Sequence, residues 1–136
     1  MIIYSPLQMA SDLPENYKQN KAFEFIKNVP VDWEDTRVID AIIGDFVVIA
    51  RKDRHSEGWY LGAITDENER TLEISLDFLT PDKVWKAEIV YDGLQADWDT
   101  NPTAFEYHEQ KVRSNETLTL RLAPGGGQAI RFVMEK

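Results

Sequence analysis

The chain of 136 residues has about the length of one domain, and its 43% hydrophobic and 11% aromatic residues are typical of a folded protein rather than a disordered one. Its 24 acidic residues outnumber the 15 basic ones, and the formal charge of −9 disfavours nucleic acids and anionic membrane surfaces, so we expect neither as a partner. Cysteine is absent, which excludes a disulfide framework and any cysteine-based zinc or thiol-redox site.

The first segment, MIIYSPLQMASDLPENY, carries the signs of a helix start. Ser5 suits the N-cap, Pro6 suits the first helical position, and Gln8 follows three residues after the cap. This segment lacks the basic and long apolar parts of a signal peptide. Such an apolar face is larger than a free terminus usually displays, so we expect it to pack on a partner. The residues that form this face at helical spacing are Ile3, Leu7, Ala10 and Leu13.

A second helical pattern follows and ends at a proline. Tyr17, Ala22, Phe25 and Val29 recur at helical spacing, and Pro30 marks the stop. After Pro30 the segments become short, rich in β-branched and aromatic residues, and bounded by turn signals. The sequence therefore predicts two parts, a helical segment at 1–30 and a β domain at 31–136.

The β domain contains seven clear strand patterns. Residues 45–51 are apolar on both faces, which predicts a central strand covered twice, with residues 59–65 as its hairpin partner. Alternating patterns predict further strands at 71–79, 85–91, 105–112, 117–122 and 129–135, the third of these an edge strand and the last two a hairpin. Roughly seven or eight strands with turns every 8 to 12 residues predict an antiparallel, Greek-key-like β-sandwich preceded by short helices.

Two loops deserve a chemical interpretation. The glycines at 125–127 run into a strand rather than a helix, so a wide hairpin turn is favoured over a phosphate cradle. Asp97, Asp99 and Asn101 have the spacing of the first half of an EF-hand, but Pro102 replaces the required glycine and His108 replaces the bidentate glutamate. A solvated turn is therefore favoured over a calcium site.

No residue pattern indicates catalysis. His55 and His108 are far apart in the sequence, and no Gly-x-Ser-x-Gly motif accompanies them. The acids suit the wet faces of strands, and paired carboxylates of the kind used in glycoside hydrolysis cannot be identified from spacing. We expect no catalytic, cofactor-binding or metal-binding residue, and an independent enzyme is the weakest hypothesis.

The four tryptophans fall into two pairs. Trp59 and Trp85 occupy inward positions of predicted strands, so they are expected in the core. Trp33 and Trp98 lie in acidic segments expected to be loops, where each is either packed on the core or exposed as a platform for a sugar ring. Trp98, flanked by Asp97 and Asp99, is the better candidate for sugar contact.

Four motifs in this order resemble one known family: SPLQMASDLPENY, FEFIKNVPVDWEDTRVIDAIIGDFVVIARK, GWYLGAITDENERTLEISLDFL and LAPGGGQAIRF. The chain resembles, over nearly its whole length, the C-terminal portion of family 97 glycoside hydrolases, the α-glucosidases and α-galactosidases of Bacteroidetes-type bacteria. The resemblance implies that the first segment is the last helical part of a catalytic (β/α)8 barrel, and that the sandwich is an accessory domain serving oligomerisation.

The same resemblance implies that the catalytic carboxylates and the calcium ligands of the parent enzyme lie upstream, so no residue here inherits either role. It also implies a periplasmic location. The leading hypothesis is a non-catalytic domain that packs on the barrel of the same polypeptide and supports a homodimer. The alternative is a carbohydrate-binding module for α-linked oligosaccharides.

Overall fold

The computed structural model describes residues 1–3, 13, 15, 17 and 21–135. Within these ranges the protein has one short helix and eight strands, which confirms the predicted all-β sandwich. No helix of the described ranges has the length and apolar character needed to span a bilayer. The elements are α1 (Lys21–Asn28), β1 (Trp33–Ile42), β2 (Phe46–Asp53), β3 (Trp59–Thr65), β4 (Arg70–Ser75), β5 (Trp85–Asp92), β6 (Phe105–Val112), β7 (Thr117–Leu122) and β8 (Gly127–Met134).

The strands form two antiparallel sheets. The larger sheet has six strands in the order β1-β2-β3-β8-β5-β6, and the smaller sheet pairs β4 with β7. The chain therefore crosses between the sheets after β3, β4, β6 and β7, and the last strand enters the larger sheet between β3 and β5. The predicted hairpin of β2 and β3 and the predicted edge position of β6 are both confirmed.

The core lies between the two sheets, because alternate side chains of each strand point inward. Trp59 and Trp85 are buried there, as predicted. Phe78 joins two rings of the larger sheet, with its centroid 5.1 Å from that of Trp59 and 5.6 Å from that of Phe132. Each such side chain contributes about 1.5–3 kcal/mol by leaving water. The smaller sheet contributes Ile74, Leu118, Leu120 and Leu122.

Strand β1 was missed by the sequence analysis, and the assignment of Trp33 to a loop is wrong because Trp33 is the first residue of this strand. Register shifts between Trp33 and Asp35 and between Val38 and Asp40 interrupt its alternation. The second bulge lets Ile39 pack on the core, and the Arg37 guanidinium lies 5.2 Å from the Trp59 ring centroid. These two bulges break the alternation of apolar and polar residues by which a strand is predicted from sequence.

Three further predictions about the strands need correction. Strand β2 is buried on one face only, since its inner residues Phe46, Val48 and Ala50 belong to the core. Val47 and Ile49 remain half-buried on the outer face. The strand predicted at 71–79 stops at Ser75, and a turn follows in which the Leu79 N–H donates to the Leu76 carbonyl at 2.9 Å. The predicted terminal hairpin is wrong, because β7 and β8 belong to different sheets.

Helix α1 lies on the outer face of the larger sheet, within the segment predicted to be helical. The Tyr60 hydroxyl donates to the Asn28 carbonyl at 2.9 Å, and the rings of Phe25 and Trp33 meet Tyr60 edge-on at 6.4 and 5.6 Å. The helix predicted to begin at Ser5 lies outside the described residues. The division of the chain at residue 30 stays a prediction.

Candidate functional site

The connection between β7 and β8 is an arch over the end of β5 and is held by one carboxylate. Asp92 Oδ2 accepts hydrogen bonds from the Ala123 and Gly127 N–H groups, each at 2.8 Å. A Cβ on Gly126 would lie 2.0 Å from that oxygen, and Gly125 has φ +63°. Two of the three glycines therefore serve this arch rather than a hairpin, one for close approach and one for a left-handed backbone.

The acidic loop at 97–101 closes on itself. Asp97 Oδ1 accepts from the backbone N–H of Thr100 at 2.8 Å, from that of Asp99 at 3.0 Å, and from the Thr100 hydroxyl at 3.0 Å. These bonds, those from backbone N–H groups first, lower the pKa of Asp97 below its ordinary value. The turn favoured from the sequence is confirmed, and one oxygen of Asp97 is already occupied.

Trp98 projects from this loop beside the glycine arch. Trp98 is 60% exposed, and its backbone N–H donates to the Pro124 carbonyl at 3.3 Å. A Cβ on Gly125 would lie 2.6 Å from the Trp98 Cβ. The adjoining depression has a volume of about 160 Å³, small beside the roughly 300–1,000 Å³ of typical ligand pockets. The three predicted sugar-contact residues thus share one loop, with Trp98 and Asp99 exposed.

The histidines and acids lie in ordinary surface contacts. His55 Nε2 lies 3.3 Å from Asp32 in a loop, and His108 Nε2 lies 3.2 Å from Gln110 Oε1 on β6. Asp32 Oδ1 also accepts from Arg54 Nε at 2.8 Å, and this bond lowers the pKa of Asp32. Within the described part of the chain, no three histidines or acids gather as a metal-binding group.

An apolar surface lies at the end of the β1–β2 hairpin; we call it the tip surface, formed by Ile42, Ile43 and Ile64. Ile43 is fully exposed, although it is a large aliphatic residue. Ile42 and Ile64 are about half exposed, and Gly44 turns the chain with φ +91°. A shallow depression of about 420 Å³ adjoins this surface. The sequence signal that could have located it is Gly44-Asp45 between apolar runs, which is typical of a hairpin turn.

The predicted partner-facing helix face is only partly described. Ile3 and Leu13 are both largely exposed. Leu7 and Ala10 lie outside the described residues. The extent of this apolar face therefore stays a prediction.

The fold and these surfaces can now be set beside known proteins. The family described as "Glycosyl-hydrolase 97 C-terminal, oligomerisation" matches residues 32–133. The chain belongs to the family of C-terminal domains of family 97 glycoside hydrolases.

Relatives with known names agree with this assignment. A retaining alpha-galactosidase from Bacteroides thetaiotaomicron is 32% identical over 133 residues, which are 97% of this chain and 19% of that protein. A glycoside hydrolase family 97 enzyme from Pseudoalteromonas sp. strain K8, solved with acarbose, has 47% identity and a TM-score of 0.95, with coverage of 99% of this chain and 21% of that one. A β-arabinopyranosidase structure has 26% identity and a TM-score of 0.75, covering 96% and 19%.

The family 97 chain thus spans about a fifth of the length of these relatives. The match at 32–133 contains all eight strands except Met134, whereas α1 lies before it. The tip surface and the glycine arch both fall inside the matched residues. They are therefore parts of the family 97 C-terminal fold, and the resemblance inferred from the motifs is confirmed.

Proposed function

We propose that this family 97 domain is a non-catalytic accessory domain that packs on the catalytic barrel of its parent polypeptide and joins two copies of the parent in a homodimer. The tip surface carries the second part of the proposal. Soluble monomers rarely expose large contiguous apolar patches, and three exposed isoleucines at one end of a sheet suit the centre of an interface. The family description names oligomerisation, so the occupant we assign to the tip surface is a second copy.

Charge favours an apolar contact between copies. Each chain has a formal charge of −9, so two copies repel one another at neutral pH. The depression beside the tip surface is lined mostly by Ala41, Phe46 and Val47 together with the tip isoleucines. Asp45 and Asp66 also line it, and both carboxylates are paired with Arg70. An interface there keeps most acidic side chains in water, and apolar burial supplies the attraction.

The test is the mass of the chain by light scattering over a wide range of protein concentration. We expect a dimer, and we expect Ile43→Glu to give a monomer because it places a charge at the centre of the contact. Leu94→Glu is the matched control, since Leu94 is 80% exposed in the loop after β5, which β3 and β8 separate from the β1–β2 hairpin. A dimer that survives Ile43→Glu would contradict the assignment of the tip surface.

The barrel contact is assigned to the N-terminal apolar face, with Ile3, Leu7, Ala10 and Leu13 facing the parent's barrel. The parent hydrolyses α-glucosidic or α-galactosidic bonds in the periplasm, with its carboxylates and calcium upstream of this domain. The isolated chain should therefore hydrolyse neither p-nitrophenyl α-glucoside nor p-nitrophenyl α-galactoside. Turnover that follows the chain through purification would overturn the non-catalytic assignment.

A second candidate function is a carbohydrate-binding module for α-linked oligosaccharides, favoured by the exposed Trp98 ring. Sugar rings stack on flat aromatic faces, and Asp99 beside Trp98 could accept hydroxyl hydrogen bonds. Calorimetric titration with maltotriose and melibiose tests this function. Binding that disappears in Trp98→Ala supports it, and absence of binding by the unaltered chain removes it.

A further inference from the structure

A second concave site lies between the sheets, on the side away from the β1 edge. The smaller sheet has two strands against six in the larger one, so part of the inner face near β6 has no strand over it in the described fold. The resulting cleft has a volume of about 440 Å³, within the usual range of roughly 300–1,000 Å³ for ligand pockets. Its apolar floor is formed by Ile89 and Leu118.

Gln128 is the feature of this cleft that calls for a ligand. Alternation along β8 places Gln128 on the inner face with Ile130 and Phe132, and its side chain is 8% exposed. No hydrogen bond in the described structure involves its side-chain amide, although it can donate two and accept two. The amide atoms keep contact with solvent at the floor of the cleft, so a ligand would take the place of water as their hydrogen-bonding partner.

The other walls of the cleft add hydrogen-bonding groups and aromatic edges. The Tyr91 hydroxyl donates to Glu106 Oε2 at 2.8 Å, and the Tyr91 ring meets the His108 ring edge-on at 5.8 Å. His108 contacts Gln110, which also lines the cleft. Polar groups therefore face the cleft from three neighbouring strands, β8, β5 and β6.

The character of these groups identifies the class of ligand. The amides of Gln128 and Gln110 and the imidazole of His108 each donate and accept, as hydroxyl groups do. Arg121, the cationic side chain among the lining residues, is paired with Glu69 at 3.9 Å, and the whole chain is strongly acidic, so an anion is disfavoured. We propose that the cleft binds a sugar residue, with the Gln128 amide hydrogen-bonded to its hydroxyls and the Tyr91 and His108 rings beside it.

This site is separate from the Trp98 loop and from the tip surface, since none of its lining residues belongs to either. The proposal does not depend on dimer formation. Loss of the dimer in Ile43→Glu would therefore leave sugar binding in the cleft unchanged, and the two proposals can fail independently.

The test is an amide NMR titration of the 136-residue chain with maltotriose and melibiose up to about 20 mM, a range that detects millimolar affinity. We expect at least one of the two sugars to shift the Gln128 side-chain amide and the backbone amides of Tyr91 and Gln110. Absence of shifts with both sugars, or shifts confined to the loop around Trp98, would overturn the proposal.

Two variants separate a binding role from a structural one. Gln128→Leu should weaken binding at least about tenfold, because a site built to hydrogen-bond a hydroxyl loses that bond, while the melting temperature checks that the fold is kept. Unchanged affinity contradicts the proposal. Gln95→Leu is the matched control because Gln95 is exposed, and it should change neither quantity. Gln110→Ala, on the edge strand, should weaken binding without disturbing the core.

Discussion

The two edge strands of the six-stranded sheet, β1 and β6, differ in how they avoid pairing with a further strand. Strand β6, FEYHEQKV, carries charged and polar side chains, and Lys111 Nζ lies 2.7 Å from Glu135 Oε2. Strand β1 is instead interrupted by two bulges and ends in the exposed isoleucines of the tip surface. Charges and bulges both block indefinite strand addition. Strand β6 is therefore a solvated edge strand, whereas the exposed isoleucines at the end of β1 suit an apolar contact.

The largest expected effect comes from placing a charge on the apolar edge. Ile42→Lys should weaken dimerisation about 100-fold, because each copy loses roughly 1.5 kcal/mol of apolar burial across a twofold contact. Sedimentation equilibrium measures the change. His108→Lys makes a comparable substitution on the β6 edge and should leave the dimer intact; equal losses in both variants would remove the distinction between the edges.

A smaller effect is expected from weakening the attachment of β1 to the core. Ile39→Ala should lower the free energy of unfolding by about 2 kcal/mol, the low end for such a truncation because Ile39 is half-buried. Urea denaturation monitored by tryptophan fluorescence measures it. The exposed neighbour Val38→Ala is the control and should cost under about 0.5 kcal/mol. A loss no larger than the control's would show that the bulge does not anchor the strand.

The effect of salt on dimer affinity should differ in sign between a contact through the tip surface and a contact through β6. Raising the ionic strength from about 0.05 to 0.5 M screens repulsion between two chains of charge −9, so a dimer formed through the tip surface should tighten a few-fold. A contact through the ion pairs of β6 would weaken under the same conditions. Light scattering at both salt concentrations decides between these results.

The smallest effect concerns pH and the start of β1. Asp32 bonds to Arg54, which lowers the pKa of Asp32 in the folded chain below its ordinary value of 3.8. A lowered carboxyl pKa stabilises the fold above the unfolded pKa, and this contribution disappears as pH falls through the folded value. Asp32→Asn should therefore flatten the dependence of the melting temperature on pH below about 4. Identical profiles for Asp32→Asn and the unaltered chain would contradict the prediction.

Sequence patterns predicted the sandwich because five segments alternate between apolar and polar residues and the other two are short apolar runs bounded by turn signals. They missed β1 because its bulges shift the alternation and because most of its side chains are exposed. They predicted a hairpin of β7 and β8 because adjacent strands with glycines between them usually pair, whereas Asp92 holds those glycines as an arch between sheets.

Prediction of the sites had a similar limit. The exposure of Trp98 could be inferred from its acidic neighbours, and the turn around Asp97 from the Asx spacing. Gln128 gave no signal, because a single polar residue in an alternating strand is ordinary. Its significance depends on which strands of the other sheet fail to cover it, and that is a property of the long-range topology.

The position of β8 has a consequence for how the domain is made. Among the strands that the structure describes it comes last along the chain, yet it lies between β3 and β5 within the larger sheet. During synthesis, β1–β3 and β5–β6 can pair only within their own groups before β8 is made. Until then β3 and β5 each keep one edge without a hydrogen-bonded neighbour. Non-local pairing of this kind is slow and leaves strand edges open to aggregation. Ribosome-bound chains ending before Gly127 should therefore be protease-sensitive. The larger sheet becomes continuous only when β8 pairs with β3 and β5, so we expect it to fold cooperatively.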